Sequence, residues 1–436
     1  MPSSNPHRTH IILLYALAVV SSVAMLADAG GAITSYDTAS YIDAWERFEA
    51  GFPDVDRTPV YPAFLAFCRF VAGKGHMLTL AVVLQNAISW ISLWFFYKIA
   101  IRATGSERVA FYLSVIIAIL PAFAMWHCHV LTESLAVSGS IFFVYSFLSF
   151  YDGKPLWHAL GVFFWLMFLI FLRPAFIYLL PVTGVALLLM AWQKKQLWRR
   201  TALGLGAVIV TTAAVLMYMV AYKQHYGVFA VSKVSLYNNF FNMRKDGLLE
   251  PAKTDNVELR NYIQQSYKEK GRGPNKLTYA DLFKETNYVV LEHWDMPTVT
   301  KLVDGSRGEN PKAELISIAR RMNLSAHENL LDTLYVSPKT PFDMLNMKVG
   351  WVYLLLTVYF SALCISIRRT KQTDWCCAMF LMMGASNLIV AVLGSMAEYG
   401  RLIVPSKFIY LLMLAQLLFG RVGNMKELEQ QDRIKV

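Results

Sequence analysis

Asp37, Glu133, Arg57, Arg173 and Arg401 are the side chains with which this sequence could do chemistry, and each lies at the edge of an apolar run. A carboxylate beside a membrane can take a proton from an acceptor hydroxyl, typically a contribution of about 10²–10⁴-fold. Arginines can hold a phosphate through charge-assisted, often bidentate bonds as it gains charge. The combination suggests a site for an amphiphilic, anionic substrate. Asp37 opens the stretch SYDTASYIDAWERFEAGFPDVDRTPVYP, from Ser35 to Pro62. With Asp28 just upstream, this region holds seven acidic residues: Asp28, Asp37, Asp43, Glu46, Glu49, Asp54 and Asp56.

The elements that would position these groups follow from spacing. Tyr41, Ala44, Trp45 and Phe48 recur at i, i+3, i+4 and i+7, which predicts an amphipathic helix over Thr38 to Ala50. Arg57-Thr-Pro-Val-Tyr-Pro then turns the chain back into apolar sequence, since two prolines cannot continue a helix. Tyr41, Asp43, Tyr61, Glu398 and Tyr399 are candidates for positioning substrate. Asp43 and Glu133 compete with Asp37 as the reacting carboxylate, and either could instead orient substrate or hold a metal. Blander roles remain open: Asp37 and Glu133 as helix-starting acids, the arginines as interfacial anchors, and Glu398 paired with Arg401. His127-Cys-His129 is a weak metal candidate, because histidines at i, i+2 share an ion only in extended backbone. The sequence requires no cofactor, and a divalent metal stays open.

Composition fixes the class. The 436 residues are 56% hydrophobic, 14% aromatic and 16% charged, with mean hydropathy +0.40. This is an all-α polytopic membrane protein, not a soluble enzyme. The net charge of +11 does not imply a nucleic-acid partner, since much of the Lys/Arg lies in short loops between apolar runs. The five cysteines show no CxxC spacing, which disfavours a disulfide framework or zinc knuckle.

About ten runs can cross about 30 Å of hydrocarbon: 11–28, 77–100, 108–127, 131–150, 157–172, 174–192, 201–221, 348–367, 375–396 and 401–420. Basic loop residues then place both termini in the cytoplasm, provided Arg173-Pro174 separates two helices and does not kink one. Leu26-Ala-Asp-Ala29 resembles a cleavage site, but cleavage would leave Asp37 near a free N-terminus. The expected organisation is a transmembrane module over 1–221 with a catalytic first outer loop (28–76). A large extracytoplasmic loop domain over 222–346 and a C-terminal three-helix region over 347–436 follow. Helical stretches are expected there at Leu277–His293 and Pro311–Met322. Asp37, Asp43, Arg57, Glu133, Arg173, Glu398 and Arg401 would share the outer side. The corresponding location is a plasma membrane, such as a bacterial inner membrane.

In order along the chain, Asp37 with Tyr41, Arg57-Thr-Pro-Val-Tyr-Pro, Leu131-Thr-Glu-Ser-Leu, Leu172-Arg-Pro and Glu398-Tyr-Gly-Arg-Leu-Ile-Val-Pro405 form a pattern. It resembles the GT-C superfamily of membrane glycosyltransferases, including the protein mannosyltransferases and aminoarabinose transferases, and covers residue 1 to about 420. The resemblance implies sugar transfer from a polyprenyl-phosphate-linked donor to a lipid, glycan or protein acceptor. It places Asp37 at the position of the catalytic acid. Thr38 stands where many relatives carry a second acid, which argues against a paired-carboxylate metal site. The chain lacks the further spans or soluble domain of some relatives, so their acceptor sites do not carry over. Two other classes remain. A transporter or lipid flippase would show ionisable groups near the midplane and matching halves, with Asn86 and Asn387 as its only support. An envelope-assembly scaffold would use the long loop to bind partners.

Overall fold

The computed structural model describes residues 6–155, 157–193, 198–271, 279–328, 348–370, 375–394 and 399–419. Helix α1 (Pro6–Asp28) is apolar around most of its surface and leads to α2 (Tyr36–Glu49), the amphipathic helix. Then come α3 (Val60–Thr104), α4 (Glu107–Ile119) and the short α5 (Pro121–Ala124), which runs into a 3₁₀ turn at Met125–Cys128. Next are α6 (Thr132–Tyr151), α7 (Trp157–Leu172), a 3₁₀ turn at Pro174–Tyr178, α8 (Leu179–Gln193) and α9 (Trp198–Tyr226). Outside the bundle lie α10 (Val234–Lys245), α11 (Val257–Lys270) and α12 (Tyr279–Lys284), the last continuing as a π-helix to Val290. They are joined by α13 (Leu291–His293), α14 (Met296–Ser306) and α15 (Pro311–His327). The chain returns through α16 (Gly350–Thr370), α17 (Trp375–Gly394), α18 (Tyr399–Leu402) and α19 (Lys407–Leu418). The chain is an all-α, multi-pass membrane protein.

Among the described residues seven helices are long and apolar enough to span, or eight if the pair Glu107–Ile119 and Ala122–Cys128, bent by 65°, is one span. Trp157–Leu172 and Val404–Leu418 are apolar but shorter, so the expected set of about ten holds as apolar helices and not as ten full-length spans. Arg173 is extended (φ −147°, ψ 119°) between α7 and the turn starting at Pro174, so the fifth and sixth runs are separate helices. The prolines after Arg57 behave differently from the expectation. Pro59 caps α3 and Pro62 lies in its first turn, where a missing N–H loses no intrahelical bond, so the helix starts there. The break in α3 falls later, at Gly73 (φ 72°, ψ 168°).

Helix α6 is the centre of the bundle, buried along nearly its whole length between α3 and α7. Its Ser134, Ala136, Ser138, Gly139 and Ser140 let neighbouring backbones approach closely. A Cβ on Gly139 would meet Leu169 Cδ2 at 3.0 Å. A second core, with Leu236, Phe240, Leu259, Ile263, Val290, Val299 and Leu302, holds the extramembrane helices together. Inside it Arg244 Nε donates to Glu285 Oε1 (3.1 Å) and Nη2 to Ser266 Oγ (2.7 Å), with both charged side chains buried. The helix expected over Leu277–His293 is described from Tyr279 and changes to π geometry at Glu285, and the one from Pro311 runs on to His327.

The Gly73 backbone occupies a region essentially restricted to glycine, where another residue costs about 1–3 kcal/mol. Gly73→Ala should lower the melting temperature of the purified protein. Gly75→Ala, in open space without left-handed backbone, should leave it unchanged.

Candidate active site

Five separate segments deliver charged side chains to one end of the bundle. The first is α2. Thr38 Oγ1 accepts from Ser35 N (2.9 Å) and donates to the Val130 carbonyl (3.1 Å), which pins the start of α2 to the segment before α6. A single parallel bridge between Ile33 and His129 reinforces that join. Thr38, at the place of a second acid in the resembling family, is therefore a buried structural stitch. Asp37 sits in the first turn of α2, where the helix dipole favours negative charge.

Arg57 comes from the turn before α3. Asp54 Oδ1 accepts from the backbone N–H of Asp56 (2.8 Å) and of Arg57 (2.7 Å), fixing that turn, while Arg47 Nη1 donates to Asp54 Oδ2 (3.1 Å). The Arg57 guanidinium donates to Asp37 Oδ1 (2.7 Å), Ser40 Oγ (2.8 Å) and Tyr41 Oη (3.2 Å). It also lies 4.2 Å from the centre of the Tyr41 ring. Tyr61 stands behind, its ring 4.9 Å from that of Tyr41 and its hydroxyl donating to Gln85 Oε1 (2.8 Å).

Glu133 lies in the first turn of α6, fully buried. Arg401, on α18, bridges the two carboxylates: Nε donates to Glu133 Oε1 (2.6 Å) and Nη2 to Asp37 Oδ2 (2.8 Å). Arg173, between α7 and α8, places Nη1 3.4 Å from Glu133 Oε1. That nitrogen is buried and poorly aligned, and it makes no hydrogen bond. The result is a continuous chain of charge, Arg57–Asp37–Arg401–Glu133–Arg173, in which, among the described residues, three cations face two anions. Burial alone would raise the Asp37 pKa, but Arg57 and Arg401 outweigh it and hold the carboxyl down at about 2. Arg57 is correspondingly harder to deprotonate, because Tyr41 and Asp37 outweigh its burial.

The structure thus gathers Asp37, Glu133, Arg57, Arg173 and Arg401, with Tyr41 against Arg57 and Tyr61 one layer behind. Asp43 is exposed on another face of α2 and takes no part in the cluster. Glu398 and the side chain of Tyr399 lie outside the described residues. His127 and His129 turn to different partners. His127 Nδ1 is 2.7 Å from Ser134 Oγ, and His129 Nδ1 donates to the Met125 carbonyl (2.9 Å). Among the described residues no group of three or more His, Cys, Asp or Glu side chains could hold a metal ion. Asn86, the polar residue within α3, donates to the carbonyls of Val82 (2.9 Å) and His127 (3.1 Å), so it braces the site. Ser40, Asp54 and Gln85 were not read from the sequence as site residues. Only the density of acids around Asp54 hinted at its role.

The extramembrane helices close against this end. The Val55 carbonyl accepts from Lys233 N and Tyr222 Oη (both 2.8 Å), and the Pro53 carbonyl from Tyr226 Oη (2.8 Å). Five residues further along, Asn238 Nδ2 on α10 donates to the Gly394 carbonyl (2.5 Å). Helix α10 therefore reaches from the turn beside Arg57 to the end of α17.

No family model matches the sequence, and no curated protein does. Among solved structures, the oligosaccharyltransferase of Archaeoglobus fulgidus in its apo form is similar over 98% of this chain and 52% of its own, with a TM-score of 0.52 and 12% identity. A second structure, of archaeal oligosaccharyltransferase AglB with an inhibitory peptide and a dolichol-phosphate, has a TM-score of 0.46 and 11% identity. This chain shares its fold with the matching half of the apo oligosaccharyltransferase. It spans about half the length of these structures, and the likeness concerns the fold. Within that fold, the charged chain from Arg57 to Arg173 is built from this chain's own residues.

Two outcomes follow from the geometry. Removing one partner of a buried ion pair costs about 3–5 kcal/mol by stranding the other charge. Arg401→Ala should therefore destabilise the purified protein strongly, and adding Glu133→Gln should recover most of the loss. For Asp37, a folded pKa below the ordinary 3.8 contributes stability above that value and loses it as pH falls toward about 2. The gap in melting temperature between wild type and Asp37→Asn should be constant near neutrality and shrink between about pH 4 and 2.

Proposed function

We propose that this protein is an integral-membrane glycosyltransferase that moves a sugar from a polyprenyl-phosphate-linked donor to an acceptor hydroxyl. The reaction would take place on the extracytoplasmic side, the acceptor being a lipid, a glycan or a protein. One observation carries the reading: Arg57, Arg173 and Arg401 converge from three segments on Asp37 and Glu133 at one end of an apolar bundle. The positive-inside pattern supports the side. The buried Nη1 of Arg173, without a hydrogen bond among the described residues, is a donor suited to a phosphate oxygen.

In the transfer, the acceptor oxygen bonds to the anomeric carbon as the bond from that carbon to the phosphate oxygen breaks. The phosphate leaves with the electron pair and gains one negative charge, which the arginines stabilise in a water-poor site. The acceptor proton goes to a carboxylate, for which Asp37 is the reading we favour. Clamped by two arginines, Asp37 is a weak base. A donor phosphate that draws Arg57 or Arg401 toward itself removes one of the cations that hold its pKa down. Donor binding then raises the basicity of Asp37 just when a base is needed, and the site stays quiet without donor. Helix α10, fixed to the turn beside Arg57 and to the end of α17, is placed to exclude water from the donor.

The test is transfer from a panel of labelled polyprenyl-phosphate sugars by the purified protein. Asp37→Asn should lower turnover by about 10²–10⁴-fold with donor binding largely kept, whereas Arg173→Ala should weaken donor binding. Normal turnover in Asp37→Asn with loss in Glu133→Gln would move the base to Glu133. Movement of the polyprenyl phosphate across the bilayer without sugar transfer would favour a flippase.

A further inference from the structure

Helix α15 (Pro311–His327) carries an exposed apolar face that no described residue covers. Leu315 (67% exposed), Ile316 (43%) and Met322 (44%) form it together with exposed Ala319. These residues recur at i, i+1, i+4 and i+7 and share one face of about 120°, interrupted near its end by exposed Asn323, while exposed Leu324 lies on the other side. On the opposite side Ser317 and Ser325 are buried. Exposed Lys312 lies within the apolar face near its start, and exposed Arg320 lies at its edge.

The placement of α15 says what this face meets. Its middle is fastened to the end of one candidate span, because Arg321 Nη1 donates to the Leu393 carbonyl (3.0 Å) in the last turn of α17. Its last turn is fastened to the start of another: Ser325 Oγ lies 2.6 Å from Tyr353 Oη in the first turn of α16. Just beyond, Val349 N donates to the Glu328 carbonyl (2.9 Å), and a Cβ on Gly350 would stand 3.1 Å from the Ala326 carbonyl. A helix tied to the end of α17 and the beginning of α16 runs across the rim of the bundle, beside the ends of two apolar helices. On its other side, Ser317 donates to Asp246 just after α10, the helix that joins the turn beside Arg57 to the end of α17.

We propose that α15 is a membrane-surface anchor. Its face of Leu315, Ile316, Ala319 and Met322 inserts into the interfacial layer of the leaflet on the active-site side, while Lys312 and Arg320 snorkel to anionic headgroups. This couples the extramembrane helices to the lipid surface independently of the transmembrane spans. It depends only on the chain's being a membrane protein, and so stands or falls apart from the transferase reading. The bilayer is favoured over a second copy of the chain because α15 is stitched to two spans and carries cations beside its apolar stripe.

The experiment uses the full chain in nanodiscs of phosphatidylcholine with and without phosphatidylglycerol. An environment-sensitive fluorophore is attached at Leu315→Cys or Met322→Cys, with exposed Gln264→Cys on α11 as reference and the unsubstituted protein as label background. Labels on α15 should emit at shorter wavelength than the reference and be quenched several-fold more by spin-labelled lipid than by aqueous iodide. Phosphatidylglycerol should strengthen lipid quenching, and Lys312→Gln with Arg320→Gln should remove that increment. Strong iodide quenching on α15, equal to the reference, would overturn the proposal. Shielding from both quenchers that disappears when discs hold a single copy would also overturn it, in favour of a protein partner. A double variant, Leu315→Glu with Met322→Glu, provides a check without a label: it should increase proteolysis between α14 and α15, and unchanged cleavage would count against insertion.

Discussion

A carboxylate with no exposure to solvent, at the head of an apolar helix, is the constraint on which this structure turns. Glu133 could not stay ionised there alone, because desolvation of a buried charge costs several kcal/mol unless it is paired. Its partner Arg401 lies 268 residues further along the chain. The pair therefore fixes the last described helices against the central helix α6. The same guanidinium reaches Asp37, 364 residues away in sequence, so one side chain ties the first extramembrane helix to the end of the fold. Arrangements of the bundle that fail to bring α2, α6 and α18 together leave a buried charge unpaired.

The supporting layer is built for the same purpose. Asp54 holds the backbone of Arg57, Thr38 ties α2 to Val130, and Gln85 joins Tyr61 to the carbonyls of His127 and His129. The Asp54 contact is local, and the others are short polar contacts between segments distant in sequence. None lies in the regular helix ladders. These contacts tie the loop segments around the cluster to one another and to the helices, which positioning of reacting groups requires.

The five charged residues were legible in the sequence because charge beside apolar runs is costly and stands out against them. The separate helices on either side of Arg173 were legible for a related reason: Arg-Pro cannot sit in mid-span, and the loop charges alternate only if the chain turns there. Asp37 was favoured over Asp43 as the first acid after α1, ahead of a helix whose Tyr41, Trp45 and Phe48 can anchor it. Ser40, Asp54 and Gln85 were hidden, since a polar side chain that braces a site has the same composition as one in water. The start of α3 was misread because Pro59 and Pro62 block a helix interior yet suit a first turn. The distinction depends on where the helix begins.

The central claim is that the three arginines form one phosphate-binding cluster that shares its charge with Asp37 and Glu133. A cryo-EM structure of the full chain with undecaprenyl phosphate tests it most directly. The account predicts the phosphate within hydrogen-bond distance of Arg173 and at least one of Arg57 and Arg401, with the matching contact to Asp37 lengthened. A phosphate bound elsewhere, with the contacts of Arg57 and Arg401 to Asp37 unchanged, would contradict it.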